Sequence, residues 1–179
     1  GVEDCTNSGV INFTMADIDN ASAWEDANNP VRQANCGGIV ASTWGNVSNC
    51  INSETINIVC TGSKPVEGTA RAAVTKKVGF QVGGITGGDY NSSDKKQTSI
   101  IDCVNEGAIN VITDAAAYNN SIGGISGYPM AESSTAITTI ISGCENSGDI
   151  TVEGYGLTRI AGIAACANMK DNVNYGKLL

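Results

Sequence analysis

Seven cysteines and not one histidine bound the chemistry this chain can attempt. The thiols stand at Cys5, Cys36, Cys50, Cys60, Cys103, Cys144 and Cys166. No two are spaced as C-x-x-C, and without imidazole the common Cys/His ligand sets cannot be completed, so neither structural zinc nor any cofactor is expected. Missing imidazole also removes hydrolases that use His as the base. Carboxylate chemistry remains. Asp17, Asp19, Glu25 and Asp26 in one segment, with Asp89 and Asp94 in another, are the groups a polysaccharide lyase or hydrolase would draw on, often with calcium and a basic residue. Asp17-x-Asp19-Asn20 lacks the rest of a calcium ligand set, and a solvated acidic loop is the plainer reading. No catalytic or metal-binding residue is assigned, and the chain is expected not to be an enzyme.

Glycan recognition needs exposed aromatics beside amides. Trp24, Trp44 and Tyr128 are the candidate contacts, with Tyr90, Tyr118 and Tyr155 in similarly variable segments. The competing reading is that an inserted Trp covers a core edge, and that Tyr128-Pro129 is a turn. Five Asn-x-Ser/Thr sequons (Asn12, Asn20, Asn46, Asn91, Asn119) follow from a composition rich in these residues and carry no assigned function.

The elements that must position these groups are legible as a repeat. One phrase recurs as Cys5-Thr-Asn7-Ser-Gly9-Val-Ile11, Cys50-Ile-Asn52-Ser-Glu54-Thr-Ile56, Cys103-Val-Asn105-Glu-Gly107-Ala-Ile109 and Cys144-Glu-Asn146-Ser-Gly148-Asp-Ile150, closing with Asn172-Val-Asn174-Tyr-Gly176-Lys-Leu178. Three residues ahead of each Cys position stands Val2, Val47, Ile100, Ile141 or Met169. Two residues after each Ile come Phe13, Ile58, Val111 and Val152. A second phrase alternates with the first: Cys36-Gly-Gly-Ile39, Val82-Gly-Gly-Ile85, Ile122-Gly-Gly-Ile125 and Ile160-Ala-Gly-Ile163. The Cys-type positions lie 45, 53, 41 and 28 residues apart, as loop insertions between constant anchors would produce.

Period-2 alternation puts Cys, Asn, Gly and Ile of the first phrase on one face, with polar residues such as Thr6, Ser8, Glu145 and Ser147 toward water. Successive copies are then expected to stack at about 4.8 Å in columns. The columns are Cys5/Cys50/Cys103/Cys144, Asn7/Asn52/Asn105/Asn146 and Ile11/Ile56/Ile109/Ile150, the Asn amides hydrogen-bonding from copy to copy. The Asn-x-Gly step is expected to supply the turn through left-handed backbone. The column cysteines read as small buried thiols. Disulfides between neighbouring copies suit an exported setting but have poor geometry at stacked identical positions, and an odd count leaves one thiol without a partner in the chain. Parity alone leaves open which neighbours of the second-phrase Ile face inward.

The pairing of Cys-x-Asn-x-Gly-x-Ile with Gly-Gly-Ile-x-Gly resembles the GLUG-type repeats of bacterial cell-surface proteins, including those of gut Bacteroidetes, over essentially the whole chain. The resemblance implies an exported, surface-associated, adhesin-like β-solenoid of a kind to whose repeats no enzyme activity is usually assigned. Glu54 for Gly, Ala161 in the last Gly-Gly pair and Asn172 for Cys depart from the pattern and bear on the register of the second copy and the C-terminal end.

Bulk properties agree with an all-β chain. Aromatics make up 5% and charged residues 16%, so Asn, Ser and Thr must cover the surface, and 22 Gly against 3 Pro favours short strands and many turns. Ten basic residues among eighteen acidic ones, a net charge of −8, supply no footprint for nucleic acid or anionic membrane. No apolar run approaches a spanning helix. The expected fold is a single domain over residues 1–179, a right-handed parallel β-helix of about four coils with roughly 40–50 residues each. The expected role is structural or adhesive, presenting variable loops to a host or bacterial surface protein or glycan. The chain opens at Gly1-Val2 without Met, as a processed form whose export signal is already gone would. It starts and stops inside the repeat phrase, so it is expected to be part of a longer surface protein or to have its ends covered by insertions or by another chain.

Overall fold

The computed structural model describes residues 1–15, 31–43, 45–61, 77–89, 98–113, 120–129, 139–154, 158–165 and 167–179, with the backbone alone at 31–33, 77–79, 89, 129 and 158. The described residues form strands joined by bends, with no helix among them, and every strand pairing is parallel.

Five sheets result, and each takes one strand from successive copies of the repeat, laid side by side in chain order. Sheet A joins Val2–Glu3, Val47–Ser48, Ser99–Ile101, Ile140–Ser142 and Asn168–Lys170. Sheet B joins Thr6–Asn7, Ile51–Asn52, Val104–Asn105, Glu145–Asn146 and Val173–Asn174. Sheet C joins Ile11–Met15, Ile56–Cys60, Ile109–Thr113 and Ile150–Gly154. Sheet D joins Val31–Gly37, Lys77–Gly83, Asn120–Gly123 and Thr158–Ala161, and sheet E joins Val40–Thr43, Thr86–Asp89 and Ser126–Pro129. Length differences between copies fall at two junctions, between sheets C and D and between sheets E and A; within each phrase the spacing is constant.

Register follows the columns. Ile11, Ile56, Ile109, Ile150 and Leu178 lie opposite one another, as do Asn7, Asn52, Asn105, Asn146 and Asn174. Glu54 leaves this register intact: Asn7 still faces Asn52 and Ile11 still faces Ile56. The last copy also keeps it, with Val173 opposite Glu145.

Two apolar cores form, because the second phrase sends its flanking residues in different directions. Cys36, Val82 and Ile122 pack with Phe80 against Ile56, Ile58, Ile109, Val111 and Ile150 of sheet C. The Ile after Gly-Gly, Ile85 or Ile125, packs instead with Val47, Ile100, Ile141 and the column cysteines. This settles the inward neighbours that alternation alone left open. Each fully buried Ile contributes about 1.5–3 kcal/mol, so both cores are principal sources of stability.

The turn expectation needs correcting. Among the described residues Asp4, Asn49, Asp102, Gly143 and Asp171, each immediately before the Cys position, are left-handed with φ from 52° to 65°, and Gly154, which ends the last strand of sheet C, has φ 123°. Neither the Asn nor the Gly of Asn-x-Gly is left-handed. The Asn side chain turns the chain by bonding the carbonyl two residues ahead, and the Gly is needed for space. A Cβ on Gly107 would lie 2.0 Å from Glu54 O, and one on Gly148 2.0 Å from Gly107 O. Asp, Asn and Gly are the residues that adopt left-handed backbone most readily, so the true turn signal stands in the sequence three residues ahead of the Asn. Tyr128-Pro129 is likewise not a turn. It ends a strand, with Tyr128 opposite Gly88 and Pro129 opposite Asp89. Pro is tolerated there because the next copy bridges this strand only at Ser126, and no described strand pairs with it onward at Pro129.

Candidate functional site

The most constrained polar group is the Asn column. Asn7 Nδ2 donates to Asn52 Oδ1, Asn52 to Asn105, Asn105 to Asn146 and Asn146 to Asn174, each at 2.7 Å. The second N–H of each amide donates to the carbonyl two residues on, at 2.9–3.0 Å. Both donors are therefore used, which is why Asn52, Asn105 and Asn146 sit fully buried without a desolvation penalty. The amides face the second phrase. A Cβ on Gly38, Gly84, Gly124 or Gly162 would fall 2.2–2.6 Å from the Cγ of Asn52, Asn105, Asn146 or Asn174. The two recurring phrases thus meet across the interior, an amide plane laid on a bare glycine, and this seam separates the two cores.

The Cys column runs beside it. Cys50, Cys103 and Cys144 are buried, Cys5 is half-buried, and all four are free thiols. Burial pushes the Cys36 and Cys50 thiols up. Cys103 is raised first by its hydrogen bond to the Cys144 thiol and then by burial, leaving Cys144 the partner that is drawn down. In the last copy Asn172 does with an amide what the thiol does weakly. Cys144 N–H donates to Asn172 Oδ1 at 2.9 Å, where Cys103 N–H reaches Cys144 Sγ only at 3.5 Å, and Asn172 Nδ2 donates to Ile141 O at 2.9 Å. The departure from Cys therefore strengthens the end of the column.

Of the proposed glycan contacts, Trp24 and Trp44 lie outside the described residues, as do Asp17, Asp19, Glu25, Asp26 and Asp94; Asp89 is described in its backbone alone. Tyr128 is half-buried, and the Arg159 guanidinium lies 5.8 Å from its ring centroid, so one ring face carries a cation. Among the described residues no three His, Cys, Asp or Glu side chains converge on a metal position, and no helix is long and apolar enough to cross a membrane.

The outer surface adds a feature that alternation placed outside but did not resolve. Asn57 Nδ2 donates to Asn12 Oδ1 at 2.9 Å and Asn110 Nδ2 to Asn57 Oδ1 at 3.0 Å, a second amide row on the opposite face of sheet C. It runs in the reverse direction to the buried one. The outward row of Ile51 and Val104, with Ile101 beside it, leaves aliphatic groups partly exposed on sheets A and B. No protein-family model, curated protein or solved structure matches the chain.

Proposed function

We propose that the chain is one β-solenoid domain, a right-handed parallel β-helix of the GLUG-repeat kind. It acts as a non-enzymatic structural or adhesive module exported to a bacterial surface. The observation that carries the reading is the sheet order: each sheet takes one strand per copy, in chain order, parallel and in register. A chain wound in successive coils produces that order directly. Variable length confined to two junctions supports a rigid stack that displays loops, and the partly exposed Ile51 and Ile101 beside rows of Asn and Ser provide a surface on which a protein partner can dock. The test is loop replacement. Substituting short Gly/Ser linkers for residues 16–30 and 62–76 should leave the unfolding midpoint nearly unchanged while removing adhesion to surface proteins or cells of the native habitat. Adhesion that survives both replacements, together with Ile51→Ser and Ile101→Ser, would defeat the adhesive reading.

A second reading is glycan binding. Tyr128 with Arg159 beside it favours acidic sugars, with Trp24 and Trp44 as further contacts. A glycan array that stays blank, or binding unaltered in Trp24→Ala, Trp44→Ala and Tyr128→Ala, would eliminate it.

A further inference from the structure

The Cys column carries chemistry that an adhesive role leaves unused. Each thiol makes the same contact. Cys5 Sγ donates to Glu3 O at 3.2 Å, Cys50 to Ser48 O at 3.1 Å, Cys103 to Ile101 O at 3.3 Å and Cys144 to Ser142 O at 3.5 Å. One contact, two residues back, repeated in four copies means one shared rotamer. With the strands parallel and in register, the sulfurs then recur at the ladder spacing of about 4.8 Å. Two collinear metal–thiolate bonds of about 2.3 Å each span nearly that distance. Side chains leave a strand roughly perpendicular to the stacking direction. A cation centred between successive sulfurs therefore meets both at the bent Cβ–S–metal angle that sulfur ligands adopt. A disulfide fits less well, since it draws the Cβ atoms to about 3.8 Å. A tetrahedral ion fits less well too, since no third ligand converges among the described residues.

We propose that Cys5 and Cys50 form a two-coordinate site for a soft monovalent cation of the Cu(I)/Ag(I) class, the class that sulfur ligands select. Of the column thiols Cys5 is half-buried, whereas Cys50, Cys103 and Cys144 are buried, so the cation enters through Cys5. On binding, one S–H proton leaves to solvent; the new thiolate and the remaining thiol each give a lone pair, and no electron changes hands. The assembled site is neutral, as its surroundings of Val2, Val47 and Ile100 require.

The test is titration of the reduced full chain with Ag(I) alone, followed by native mass spectrometry, X-ray absorption and thermal unfolding. The expected result is retained silver with two sulfur neighbours and a raised unfolding midpoint. Cys5→Ser should lower the retained stoichiometry by one. Cys36→Ser should leave it unchanged, because Cys36 lies opposite Val82 rather than a thiol. Cys5, being half-exposed, tolerates the change, so this variant decides the matter even if Cys50→Ser fails to fold. Wild-type stoichiometry in Cys5→Ser, three or more sulfur neighbours, equal retention of Zn(II), or a midpoint lowered by silver would each overturn the proposal.

Discussion

The Asn column and the glycine wall that faces it hold the same copies in register by opposite means. On the Asn side, register is set by what the side chain does: each amide has one donor for its own loop and one for the next copy, so a slipped copy would leave buried donors without acceptors. On the glycine side, register is set by what the side chain lacks, since the copies approach until no room remains for a Cβ. The first device is directional and tolerates a neighbour of any kind at the intervening positions. The second is purely steric and tolerates nothing larger than hydrogen. Asn172 shows the first device extended to a new position, and Ala161 shows the glycine requirement relaxed at the first residue of a pair while Gly162, the one against Asn174, is kept.

The largest effect should come from the steric side. Gly84→Ala places a methyl 2.1 Å from Gly124 O and 2.2 Å from Asn105 Cγ, and a loss of about 4 kcal/mol in denaturant unfolding is expected; a loss below about 1 kcal/mol would dissolve the distinction drawn above. Asn105→Leu removes the bonds to Asn146 and Gly107 O and strands the Asn52 donor, for about 3 kcal/mol. Next, Ile109→Ala and Ile125→Ala probe the cores on either side of the seam. Both side chains are fully buried, so similar losses of about 2.5 kcal/mol are expected, and a clear inequality would show that one core relaxes around a cavity. Asn7→Leu, in the half-buried first copy, should lose about 1.5 kcal/mol, because water can replace its bond to exposed Gly9 O but not its bond to buried Asn52.

The smallest effect should be a pH dependence. Cys36 and Cys50 are raised in the folded chain above the ordinary 9.0 by burial, so the folded state favours their neutral thiols, whereas Cys103 and Cys144 shift in opposite directions and offset each other. Stability is then complete below pH 9 and declines as pH rises toward the folded values. Denaturant midpoints measured across pH 8–10.5 should fall, and Cys36→Ala and Cys50→Ala should flatten the slope; a midpoint that climbs with pH would contradict the direction.

Much of this was legible because repetition exposes constraint. The offsets that align the phrase, 45, 53, 41 and 28 residues, are the offsets of the Asn–Asn hydrogen bonds. The left-handed position is equally visible, as Asp, Asn or Gly before every Cys position, but the glycine two residues beyond Asn is the stronger habitual turn signal and masks it. Tyr128-Pro129 differs from its local signal for a similar reason: Pro favours a turn locally, and whether a strand needs its N–H depends on what lies next to it. Trp24 and Trp44 lie in the segments between anchors, where no repeated column constrains them.

By itself the sequence determined the columns, the parity of the first phrase and the all-β character, because these follow from spacing and from alternation along one strand. Only the tertiary structure decided that Gly84 lies on Asn105, that the interior is divided in two, and that the amides of sheet C run counter to those within. These depend on which elements meet across a core, and glycine, having no side chain, gives no sign in the sequence of what it is making room for.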